Sequence, residues 1–88
     1  MCTYQTSFVK VAGSAQGATG WFRATDATVY VDHPVHFGAG HALMIDVINP
    51  SLGANSRIGL ELDATSAREL AKAILEALDR APATLLEN

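Results

Sequence analysis

The chain has 88 residues, of which 49% are hydrophobic and 17% charged, and its formal net charge is −3. Such a length holds one domain, 1–88, and a composition this apolar excludes disorder. The acidic balance without a basic stripe argues against nucleic acid as a ligand. No run of about 20 apolar residues offers a membrane span.

Taken in chain order, Tyr4 to Val11 is rich in Tyr, Thr, Phe and Val and reads as a first strand. Gly13 to Gly20 carries three glycines in eight positions and reads as a flexible loop. It is not a phosphate-binding loop, because a strand follows it and no Lys-Ser/Thr ending is present. Trp21 and Phe22 open a second strand region, as core or interface anchors. The firm part of that region is Ala27 to Asp32, where Val29 and Val31 face one way and Thr28, Tyr30 and Asp32 the other. Pro34 ends it, since proline cannot donate to a sheet ladder, and His33 to Gly40 becomes a connection.

Ala42 to Asn49 is apolar on both faces, with Leu43, Ile45 and Val47 on one and Met44, Asp46 and Ile48 on the other. That pattern predicts a central strand. Asn49 to Asn55 is turn chemistry. Arg57 to Leu62 is a fourth strand with Ile58, Leu60 and Leu62 toward the core, and Arg57 and Glu61 outside, near enough to pair weakly. From Thr65 to Arg80 the apolar positions Leu70, Ile74 and Leu78 fall at helical spacing. Asp63, Thr65 and Ser66 are N-cap types, Ser66 and Glu69 have capping-box spacing, and Pro82 marks the stop. The tail, 83–88, is expected to be loose. The reading is an α+β fold, a four-stranded antiparallel sheet with one C-terminal helix, in the order β-β-β-β-α.

Met1-Cys2-Thr3-Tyr4, Gly20-Trp21-Phe22, Val31-Asp32-His33-Pro34-Val35-His36 with His41 beyond, and a strand ending at Leu62-Asp63 before an Ala/Leu-rich helix together resemble an uncharacterised family of short actinobacterial proteins. The resemblance covers nearly the whole chain, and Asp-His-Pro-Val-His is its most specific part. It implies a compact bacterial cytoplasmic protein and carries over no activity and no catalytic residue.

All three histidines, His33, His36 and His41, fall within nine positions. Imidazole is the commonest transition-metal ligand near neutral pH, and three converging rings would leave a fourth position open. Pro34 stiffens the His33–His36 pair, and Asp32 and Asp46 are near enough to ligate or to orient an imidazole. Zinc suits such a mixed set, with nickel or copper as alternatives. The competing readings are loop histidines that are solvated or make structural hydrogen bonds, and histidine catalysis without a metal. The spacing is not that of His-Glu-x-x-His.

Cys2 adds a thiol that joins the α-amine in one chelating or nucleophilic unit if Met1 is removed. The plainer reading is an inert thiol at a frayed terminus. One cysteine permits no intrachain disulfide, and no leader-like pattern follows Met1, so a reducing cytoplasm is expected. Two classes of function follow. One is a small protein with a histidine-cluster site that takes a transition metal. The other is a homodimeric, non-catalytic binding or accessory protein acting through a sheet face that its single helix leaves uncovered, with a small-molecule ligand compatible with both. The dimer is expected through Met44 and Ile48. No Ser-His-Asp order, acidic pair or nucleotide motif names a reaction.

Overall fold

The structure, a computed structural model, describes residues 5–86. Cys2 and Tyr4 lie outside the described residues. Four strands, β1 (Ser7–Gly17), β2 (Gly20–Asp32), β3 (Ala42–Ile48) and β4 (Arg57–Leu62), form one sheet in that order, each antiparallel to its neighbour, and one long helix, α1 (Ala64–Arg80), follows. This is the α+β architecture that the alternation and the C-terminal periodicity predict.

β1 (Ser7–Gly17) and β2 (Gly20–Asp32) form a long hairpin. The glycine-rich stretch is therefore not a flexible loop but the end of one strand, a two-residue turn and the start of the next. Its glycines serve geometry. Gly20 has φ +123°, in the region that disfavours side chains, where the chain leaves the turn and enters β2. A Cβ on Gly17 would stand 3.2 Å from Phe22 Cε1 and 3.4 Å from the Arg57 carbonyl oxygen, so the hairpin tip lies close to the β4 end of the sheet. Between the pairs Lys10↔Asp26 and Gly13↔Ala24, Val11 and Ala12 stand opposite Thr25 alone. This bulge bends the edge strand and adds local twist.

β3 (Ala42–Ile48) pairs with β2 and with β4 (Arg57–Leu62). The registers Val29↔Ile45↔Leu60 and Val31↔Leu43↔Leu62 put the aliphatic residues on one face, as their period of two requires. Phe8, Tyr30, Met44, Asp46, Arg57 and Glu61 share the opposite face. Asn49, expected to end β3, instead leaves the strand, becomes buried and caps a short 3-10 turn, Pro50–Leu52. Its Oδ1 accepts the Ser51 N–H at 3.0 Å and its Nδ2 donates to the Arg23 carbonyl at 2.9 Å, which ties the turn to β2.

α1 (Ala64–Arg80) starts at the Asp63 cap, whose Oδ1 accepts the Ser66 N–H at 2.7 Å. Ser66 is thus the third helical residue and not the cap. The hydrogen bonds from Ser66 hold the Asp63 carboxyl below the usual carboxylate range. The helix stops because Ala81 precedes Pro82 and is driven to extended backbone. Beyond it, where a loose tail was expected, Ala83–Leu85 forms one 3-10 turn.

Packing departs most from expectation at the helix. Ala67, near its start, is half-buried, but Leu70, Ile74 and Leu78 are 40%, 53% and 50% exposed. α1 meets the sheet at its N-terminal end and stands off beyond it. An apolar cleft of about 480 Å³ separates Val29, Leu43 and Ile45 on the sheet from Ala67, Leu70 and Ile74 on the helix. Among the described residues, the buried apolar positions are Ala24 and Ala42.

Candidate functional site

The connection between β2 and β3 turns back over the sheet face opposite α1. A carboxylate on β4 holds it there. Glu61 Oε2 accepts the Val35 N–H and Oε1 the His36 N–H, each at 2.9 Å. The Val35 amide first, with the His36 amide, the His36 ring and the Phe37 amide adding to it, keeps the Glu61 carboxyl below its usual range against the opposing effect of desolvation. Two backbone donors that the irregular segment would otherwise leave to water are thereby satisfied by one bidentate acceptor.

Under this segment lies a concavity of about 760 Å³, with Tyr30, Met44, Asp46, Arg57, Phe37 and Glu61 among its lining. Its floor is a hydrogen-bonded set spanning three strands. Tyr30 Oη donates to Asp46 Oδ2 at 2.9 Å, and Arg57 Nη2 donates to Asp46 Oδ1 at 2.7 Å. The Asp46 carboxylate raises the Tyr30 phenol above its ordinary value, since losing that proton would set two anions side by side. Gly59 makes the floor possible: it faces Asp46 across the β3–β4 pair, and a Cβ there would lie 3.3 Å from Asp46 Oδ1. Arg57 therefore pairs with Asp46, and Glu61 with the connecting segment, rather than with each other.

The structure brings two of the three histidines together. The rings of His33 and His41 lie with centroids 4.4 Å apart and tilted by 37°. His33 Nδ1 is 2.8 Å from the Gly40 carbonyl oxygen, which can only accept, so this nitrogen carries a proton, and in the neutral ring the lone pair is on Nε2. Asp32 supports the same corner by accepting the His33 N–H on Oδ1 at 2.7 Å. His36 is placed differently, with Nδ1 3.7 Å from Glu61 Oε2 and its ring largely in solvent. His33 and His36 border the polar concavity, whereas His41 borders the apolar cleft beside α1. Asp46, expected near the imidazoles, is occupied by Tyr30 and Arg57. Among the described residues, no group of three or more His, Cys, Asp or Glu side chains is gathered for a metal ion.

From the sequence Tyr30 is legible as a residue of the sheet face away from the helix but not as a partner of Asp46, and the latching role of Glu61 is not legible at all. The signal available was alternation, which puts Tyr30, Asp46, Arg57 and Glu61 on one sheet face. Pairing needs the register as well, because Asp46 meets both its partners diagonally across strands.

A four-stranded meander with one C-terminal helix defines a small α+β domain, with a polar concavity on the sheet face opposite the helix. The chain belongs to DUF6295, a family of unknown function, which matches it over residues 1–87. No curated protein and no solved structure matches the chain. Among the described residues, no helix is long and apolar enough to cross a membrane.

Proposed function

We propose that this is a small, non-catalytic bacterial binding protein of the cytoplasm, whose ligand surface is the sheet face opposite α1. The observation that carries the reading is the concavity beneath the β2–β3 connection. Its volume falls within the roughly 300–1,000 Å³ typical of small-molecule sites. It also combines a few polar groups with apolar walls, the usual makeup of such sites. In the Asp46–Arg57–Tyr30 floor the Asp46 and Arg57 charges offset each other, and Arg57 keeps donors beyond the one it gives Asp46. Phe37 and Met44 offer apolar contact alongside. The ligand that fits is a small molecule with an acceptor-rich head for Arg57 and an apolar body. Amide chemical-shift mapping against a library of small carboxylates is the test. Shifts clustered at Tyr30, Asp46, Arg57 and residues 35–37 support the reading. Saturable binding that shifts only residues elsewhere, or no binding across the library at millimolar concentration, removes it.

A second reading rests on the His33–His41 pair. A proton held on Nδ1 by a backbone carbonyl is the arrangement that leaves Nε2 free to ligate. With His36, Cys2, Asp32 or Asp46 completing the set after rearrangement, zinc, nickel or copper would be held. Elemental analysis of the purified protein decides it: substoichiometric metal, unchanged by His33→Ala, ends this reading.

A further inference from the structure

We propose that the open side of this chain, between α1 and the aliphatic sheet face, is filled by α1 of a second copy, so that two chains exchange helices across a twofold axis. The surface accounting leads there. A folded monomer of 9.3 kDa is expected to expose about 5,000 Å². This chain exposes 6748 Å². Its radius of gyration is 14.6 Å, where about 12 Å is usual for 88 residues. The surplus is about 1,700 Å² per chain, or roughly 3,500 Å² for a pair, which lies within the range of obligate homodimer interfaces and above that of transient ones.

The occupant follows from the shape and chemistry of the cleft. One wall is the sheet face carrying Val29, Leu43 and Ile45, and the other is the helix stripe through Leu70 and Ile74; Leu60, the β4 neighbour of Ile45, and Leu78, one turn past Ile74, continue the two apolar surfaces beyond the cleft. An amphipathic helix with an aliphatic stripe is what such a groove accepts, and the chain itself carries one of 17 residues. A surface this apolar invites aggregation whenever it is open, so its cover must be present wherever the folded chain is, a condition that a second copy meets at the chain's own concentration. Charge does not oppose the pairing. α1 carries Arg68, which borders the cleft, Lys72 and Arg80 against Glu69, Glu76 and Asp79, so two such helices meet without net repulsion. This face is the reverse of the one through Met44 and Ile48 on which the alternation placed a dimer, and it leaves the polar concavity open on both copies.

The test uses the whole chain with Cys2→Ser. Two single-cysteine variants, Leu78→Cys on the helix and Leu60→Cys on the sheet, are mixed at high micromolar concentration, refolded together and mildly oxidised. Disulfide-linked pairs containing one of each are expected well above the level of self-linked ones. Light scattering of the unlinked protein is expected at twice 9.3 kDa, with a melting temperature that climbs over a hundredfold rise in concentration. Monomer mass with a concentration-independent melting temperature overturns the proposal. So does a dimer that Met44→Glu dissociates and in which the helix and sheet cysteines do not link. A monomer that binds an added amphipathic helical peptide without self-association overturns it as well, in favour of a foreign partner.

Discussion

Replacing Ile74 with Ala measures how much of the helix stripe is covered in solution. The substitution removes three carbon atoms at a position that the single chain leaves 53% exposed. At about 0.8 kcal/mol for each fully buried methylene, the half-covered side chain of a lone chain should cost about 1 kcal/mol. Under a second copy's sheet and helix, the same change becomes a core truncation worth about 2–5 kcal/mol per chain. Urea unfolding of wild type and variant at two concentrations a hundredfold apart separates the cases. The expected result is a loss above 2 kcal/mol per chain, with midpoints for both proteins that rise with concentration. A loss near 1 kcal/mol with midpoints indifferent to concentration would refute the covered stripe.

Three further outcomes follow from single contacts. Asn49→Ala removes, from a buried side chain, the donor to the Arg23 carbonyl and the acceptor for Ser51, and should destabilise the fold by about 1–3 kcal/mol in urea titrations, with an unchanged slope. Glu61 has a depressed carboxyl, so its hold on the 35–37 amides is complete above the ordinary glutamate value, about 4.3, and is lost as pH falls through its lower folded value. Hydrogen exchange corrected for intrinsic rates should show protection at Val35 and His36 falling at pH below the ordinary glutamate range, and Glu61→Gln, which keeps one acceptor oxygen, should give weaker protection that pH does not change; equal, pH-dependent protection in both proteins would break the latch argument. Tyr30, raised by Asp46, should titrate by ultraviolet absorbance above its ordinary value, and Asp46→Asn should bring it down; an unmoved curve would mean that the two do not meet in solution.

DUF6295 membership describes the chain without naming a chemistry. The two faces of the sheet divide the remaining work: one is aliphatic and short of cover, the other polar and concave. A protein built this way can pair through the first face and bind through the second without competition between them.

The local signals in the sequence determined the elements. Period-two alternation set the strand faces from Val29 to Leu62, and period-3.6 spacing with Asp63 before it and Pro82 after it set the helix, because both depend only on near neighbours along the chain. The glycines between 13 and 20 misled, since the same residue serves a mobile loop and a tight hairpin, and only the position of Phe22 and Arg57 against Gly17 tells them apart. The histidines were legible as a cluster in sequence but not in space. Glu61, twenty-five residues on, draws His36 away from the pair that His33 and His41 form. How far α1 stands from its own sheet was decided by tertiary structure alone. Periodicity shows which side of a helix is apolar, but whether that side meets its own strands or another copy's depends on the angle at which the chain leaves β4, and no residue type encodes that angle by itself.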